Sequence, residues 1–118
     1  KTAYEIPKRD WSSDVCSSDL ALQGDLGKPR PALIVQSDLF DEHPSVTVLP
    51  ITSMRVEAPL FRIDLEPGPD TGLQVRSQVM VDKPQSVARA KLGTVIGRAS
   101  DDVLLAVNRA LAVFLGLA

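Results

Sequence analysis

The side chains best suited to chemistry in this chain are cationic and hydroxylic. Lys28 and Arg30 flank Pro29 at the entrance to an apolar run, where a guanidinium can present a fixed fork to a phosphate. Thr52 and Ser53 follow a second apolar run that Pro50 interrupts, and they offer two hydroxyls; Arg55 lies in the adjoining loop. Arg76 sits on the polar side of a later alternating stretch. Taken by pattern alone, each also has an ordinary reading, as a solvated surface arginine or a hydroxyl closing a strand end. His43, the single histidine, falls in a polar D-E-H-P loop and reads as solvated surface, although it is the one side chain of conventional general-base type. There is no G-x-S-x-G, no phosphate-binding glycine loop and no zinc-ligand spacing. From residue chemistry alone the candidates are thin.

The elements that must position these residues are mostly strands. Residues 22–30 carry a turn signal, L-Q-G-D-L-G-K-P-R, which leads into P-A-L-I-V-Q, a short run apolar on both faces as in a buried strand. Residues 37–44 are polar and read as a loop with a helical turn. Residues 46–51 form a second strand that Pro50 is expected to loosen, since proline cannot donate to a ladder. Phe61, Ile63 and Leu65 alternate with Arg62 and Asp64. The loop E-P-G-P-D-T-G then turns the chain, and Leu73, Val75, Val79 and Val81 are expected on one face with Gln74, Arg76, Gln78 and Asp82 on the other. Residues 83–91 read as polar and irregular, and residues 92–99 as a last strand. Ser100, followed by Asp101 and Asp102, has the form of an N-cap with acids in the first turn. Val103, Leu104, Val107, Leu111, Phe114 and Leu115 recur at helical spacing, and Gly116 ends the pattern. The fold class expected is mainly β with a C-terminal α-helix, a small antiparallel barrel with the helix packed against it.

Composition narrows the class. The chain has 118 residues and a net charge of −2, which suits one domain and argues against a strongly basic arm. No apolar run approaches the ~18 residues a helix needs to cross a bilayer. Cys16, Trp11 and Tyr4, each the sole residue of its type, all lie in the first 20 residues. That segment has no sustained period, and D-W-S-S-D-V-C-S-S-D-L matches, residue for residue, the translation of a common short-read sequencing adapter. Residues 1–20 are accordingly expected to be a non-native tail, and residues 21–118 a domain truncated at its N-terminus and lacking a first strand. A barrel without that strand would carry an open edge, with impaired folding or a poor substitute as the result. Residues 21–118 contain no cysteine, which leaves no thiol nucleophile and no cysteine-ligated zinc, and a histidine-rich metal site is excluded because His43 stands alone.

The segments G-K-P-R-P-A-L-I-V-Q-S-D, V-T-V-L-P-I-T-S, S-Q-V-M-V-D-K and L-A-V-F-L-G-L, in that order and spacing, resemble the MazF/PemK-like family of bacterial toxins over essentially all of residues 22–118. The resemblance implies an SH3-like barrel of the CcdB/MazF type, a homodimer, and a cytoplasmic toxin of a type II toxin–antitoxin pair. The implied activity is metal-independent, sequence-selective cleavage of single-stranded mRNA, with no cofactor. It places the catalytic arginine on Arg30 and the catalytic threonine on Thr52, with Lys28, Ser53, Arg55 and Arg76 as candidate substrate contacts. An antitoxin with a disordered, acidic and hydrophobic segment is the implied protein partner, laid over the RNA groove. In some members an acidic residue near the S-Q pair helps to read or activate RNA; here that stretch is V-R-S-Q-V, without a carboxylate. Two other readings share the fold, a gyrase-poisoning binding protein of the CcdB type and an inactive truncated toxin.

Overall fold

The structure, a computed structural model, describes residues 14–18 and 30–117. Among them the strands run β1 (Asp14–Ser18), β2 (Arg30–Ile34), β3 (Ser45–Thr52), β4 (Arg62–Leu65), β5 (Ser77–Met80), β6 (Gln85–Ala88) and β7 (Leu92–Arg98), and one helix, α1 (Asp101–Phe114), closes the chain. All pairings are antiparallel, in the order β4-β5-β3-β2-β1-β7, with β6 on β3. The expected class, mainly antiparallel β with a C-terminal helix, is the class observed.

Strands β2 and β3 are apolar on both faces because each face covers a separate cluster. Leu33, Leu49 and Ile51 join Val15, Leu65, Val79 and Val107 in the main core beneath α1. Ala32, Val46 and Val48 form a second cluster, covered by Val87 and Leu92. That second face explains β6, which the polar reading of residues 83–91 missed: Val87 packs inward while Ser86 and Ala88 stay exposed. Pro50 does not break β3. It stays in register with Ala32, and the opposite edge changes partner around it, from β6 at Ser45–Val48 to β5 at Ile51 and Thr52.

Residues 14–18, inside the segment expected to be a tail, supply a strand where none was read from the sequence. Asp14–Ser18 lies between β2 and β7, and Val15 is fully buried in the main core. Its pairing with β2 is regular, while that with β7 slips between Val15 and Cys16 and again between Cys16 and Ser18. The other residues of 1–20 lie outside the described residues.

The helix begins as its sequence dictates, with Ser100 Oγ accepting from the Val103 N–H at 3.2 Å. Its end is a Schellman motif: Gly116 has φ of 74°, its N–H reaches Val113 O, and Leu117 N–H reaches Ala112 O. Leu104 and Val107 are buried and Leu111 packs on the core, but Phe114 and Leu115, expected on the same face, are exposed because the last turn runs past the core.

The loop between β4 and β5 is held close against β7. The Arg98 N–H donates to Asp70 O at 2.7 Å, and a Cβ on Gly72 (φ 73°) would come within 2.0 Å of Ile96 O. Gly72→Ala should therefore combine the left-handed penalty of ~1–2 kcal/mol with a backbone clash. The expected result is a thermal midpoint lower by about 8 °C or more by circular dichroism; an unchanged midpoint would show that this approach is not needed.

Candidate active site

Arg30 is the first residue of β2 and Thr52 the last of β3, both half-buried. The β2–β3 register pairs Ala32 with Pro50, Leu33 with Leu49 and Ile34 with Val48. The paired register ends there, and two residues beyond it Arg30 opens β2 and Thr52 closes β3, at the same end of the strand pair. Thr52 is opposite Gln78 of β5, and Gln78 is opposite Asp64 of β4. A cross-sheet row thus runs Thr52, Gln78, Asp64, with Arg30 at the start of the next strand, β2, beyond its last pair with β3. Directly opposed residues of antiparallel strands share a face, with Cβ atoms about 4.5–5.5 Å apart. Arg30 and Thr52, 22 positions apart in sequence, are brought to one end of the sheet in this way.

Beside this row opens a cleft of about 450 Å³, lined by Arg30, Ser53, Gln74, Ser77 and the backbone of Gly72, with Ile51 and Leu73 among its apolar residues. Its volume is in the range of small-ligand sites. Thr52 lies between two lining residues, and its Oγ1 accepts from the Met54 N–H at 3.1 Å, which turns the chain out of β3. The hydroxyl hydrogen is left to point elsewhere.

The remaining sequence-derived candidates divide. Ser53 lines the cleft. Arg55 is exposed and makes no hydrogen bond or ion pair among the described residues, so its charge is open to an incoming anion. Arg76 is half exposed and already engaged, with Nε 3.0 Å from Glu66 and Nη2 3.9 Å from Asp64. Both readings of Arg76 are thus visible in one place: it is on the surface, paired, and two residues from the cleft-lining Gln74. Lys28 lies outside the described residues. His43 is not brought to this site. Its Nδ1 accepts from the Ser45 N–H at 3.0 Å, and it lines a separate hollow with Gln36, Phe40 and Leu111. Among the described residues no group of three or more His, Cys, Asp or Glu side chains is placed to hold a metal ion.

Sequence reasoning missed Gln78. Period-two alternation assigns it to the solvent face, yet it is only 6% exposed, within a strand buried along its whole length. The usable signal was S-Q-V-M-V itself, too apolar on both sides of Gln78 for a half-exposed strand. A carboxylate of the neighbouring strand does meet Gln78: Asp64 Oδ1 accepts from Gln78 Nε2 at 2.9 Å.

The arrangement has counterparts. Residues 13–115 match the model of the PemK-like, MazF-like toxins of type II toxin–antitoxin systems. A probable endoribonuclease MazF of Mycolicibacterium smegmatis is 49% identical over 92 residues, covering 78% of this chain and 84% of that protein. Among solved structures, a mycobacterial endoribonuclease in complex with its cognate antitoxin superposes with a TM-score of 0.72 at 25% identity, covering 92% of this chain and 96% of the other. The Mycobacterium tuberculosis toxin MazF-mt6 has the same fold, with a TM-score of 0.74 at 24% identity over 89% and 98% of the two chains. With its family model spanning most of the chain and the arginine–threonine pair set across adjacent strands, this protein belongs to the PemK-like, MazF-like toxins of type II toxin–antitoxin systems.

Proposed function

We propose that the chain is an endoribonuclease that cuts single-stranded mRNA by internal attack of a ribose 2′-hydroxyl. The observation that carries this reading is the placement of Arg30 and Thr52 at the same end of the β2–β3 pair, beside a cleft with a polar lining. In the reaction, the 2′-oxygen bonds to the adjacent phosphorus as the bond to the 5′-oxygen breaks. The 2′-hydroxyl gives up its proton and the departing 5′-oxygen gains one, leaving a 2′,3′-cyclic phosphate and a 5′-hydroxyl. No water is consumed, and the step as written requires no metal. Its main requirement is donors fixed where negative charge accumulates on the phosphoryl oxygens.

Arg30 supplies charge-assisted donors from a strand end, and is the residue assigned to pass a proton toward the leaving oxygen. Thr52, with one lone pair of its Oγ1 taken by the Met54 N–H, keeps its hydroxyl hydrogen to donate to a phosphoryl oxygen. The general base is not assigned by this geometry. Ser53 and Arg55 extend the cationic and hydroxylic edge, Arg76 joins them by exchanging Glu66 for a phosphate, and Lys28 precedes Arg30 in sequence. Gln74, exposed in the cleft wall with no side-chain hydrogen bond among the described residues, offers an amide donor and acceptor to a base edge.

The same reading includes a homodimer, an antitoxin that covers the groove with an acidic and hydrophobic segment, and a cytoplasmic site of action where mRNA is found. Support for self-association comes from Val113, Phe114, Leu115 and Leu117, exposed apolar residues gathered at the end of α1 that a second copy would cover. The solved relative bound to its cognate antitoxin supports the second partnership.

Thr52→Val tests the role of the hydroxyl at nearly constant volume. Cleavage of single-stranded RNA in EDTA should fall about 10²–10³-fold, the usual cost of one transition-state donor. Undiminished cutting would remove Thr52 from the mechanism.

A further inference from the structure

We propose that Gln78 is a positioning residue for RNA cleavage, holding the segment after Thr52 in its working shape; the inference rests on the nuclease reading above. The amide uses its whole hydrogen-bonding capacity. Oε1 accepts from the Val56 N–H at 3.0 Å and from Arg62 Nη1 at 3.2 Å. Nε2 donates to Val56 O at 3.1 Å and to Asp64 Oδ1 at 2.9 Å. One buried side chain therefore grips both backbone groups of Val56, as a neighbouring strand would.

Arg62 adds the second tether, its Nη1 also donating to Met54 O at 3.1 Å. Between them the two side chains fix residues 54 and 56, on either side of Arg55 and just beyond Thr52 and Ser53. Apolar packing does not hold this segment, since Met54 is 79% and Val56 49% exposed. Its shape comes from the polar clasp. Gln78 also stands directly opposite Thr52 in the cross-sheet row, so the clasp and the reacting hydroxyl share one strand pair. A displacement of about 1 Å in a group that must meet a phosphoryl oxygen costs on the order of 10²-fold in rate. Loss of the clasp releases the turn that begins at the Thr52 hydroxyl.

The test is the single-turnover rate of cutting of a single-stranded RNA by the intact chain, at a temperature well below the melt, for wild type, Gln78→Met, Thr52→Val and the double variant. Methionine keeps the length and loses every hydrogen bond. Gln78→Met should cut about 10–100-fold more slowly, and its further effect in the Thr52→Val background should shrink to less than about threefold, because both changes disable the same hydroxyl. Equal rates for wild type and a folded Gln78→Met, or fully additive losses in the double variant, would overturn the inference alone. A wild type that cuts no RNA would overturn the nuclease reading and this inference with it. If Gln78→Met fails to fold, Arg62→Met reports on the less buried half of the clasp: a threefold or greater loss of rate is expected, and an unchanged rate would refute the role.

Discussion

Arg30→Ala should reduce RNA cleavage by at least about 10³-fold while the fold persists. Among the described residues that line the cleft, Arg30 is the only cationic one, and the substitution removes its donors from the strand end it shares with Thr52. One neutral donor to a transition-state anion is worth about 10²–10³ in rate, and charge-assisted bonds are roughly twice as strong as neutral ones, so arginine should exceed that range. Arg30→Lys should recover only part of the loss, because an ammonium keeps the charge but lacks the planar fork. Rates on a defined RNA oligonucleotide, with circular dichroism as a control on folding, settle the matter. A folded Arg30→Ala that retains a tenth of the wild-type rate would contradict the assigned role.

The second large effect is on stability. Val15 is fully buried, opposite Leu33 on one side and Gly97 on the other, in the cluster that includes Leu49 and Val107. Val15→Asp would place a carboxylate there without a partner, at a cost of several kcal/mol. Domains have only about 5–15 kcal/mol in total, so the cooperative melt should be lost or moved far down in temperature. Val15→Ala, which leaves a cavity but no charge, should cost about 2 kcal/mol and keep the cooperative melt. The pair of thermal scans separates burial from mere strand length. A Val15→Asp variant that melts like wild type would show that β1 does not contribute to the core.

That strand also marks the limit of what its own sequence can show. D-V-C-S-S has little strand pattern, and no reading by period would select it. What makes it a strand is non-local: β2 and β7 each present an edge of backbone donors and acceptors that must be paired, and a five-residue segment with one valine at the right place satisfies both. Helix α1 is the opposite case. Its cap, acidic first turn, apolar spacing and terminal glycine all lie within residues 100–116, so its start and its end are legible locally. Strand β6 was hidden because its single inward valine, Val87, finds cover only when β3 and β7 are already in place.

The site divides along the same line. Arg30 and Thr52 could be chosen from the family resemblance that K-P-R-P and P-I-T-S carry, but their nearness depends on a register that joins Ala32 to Pro50. Gln78 was concealed by the alternation rule, which assumes that one face of a strand meets water. In β5 both faces are covered, and the amide is tolerated inside because Val56, Arg62 and Asp64 satisfy it completely. Arg76 shows how little a face assignment settles: its exposed position was foreseeable, its ion pair with Glu66 was not.

The central claim, cleavage by an internal 2′-hydroxyl under the charge of Arg30 and Thr52, is tested most directly with two matched oligonucleotides in EDTA. One is single-stranded RNA containing a mapped cleavage site, and the other carries a single 2′-deoxyribose at the nucleotide on the 5′ side of that site. The all-RNA strand should be cut to a 2′,3′-cyclic phosphate and a 5′-hydroxyl, and the deoxy-substituted strand should stay intact at that position. Equal cutting of both strands, or a 5′-phosphate on the downstream product, would contradict it.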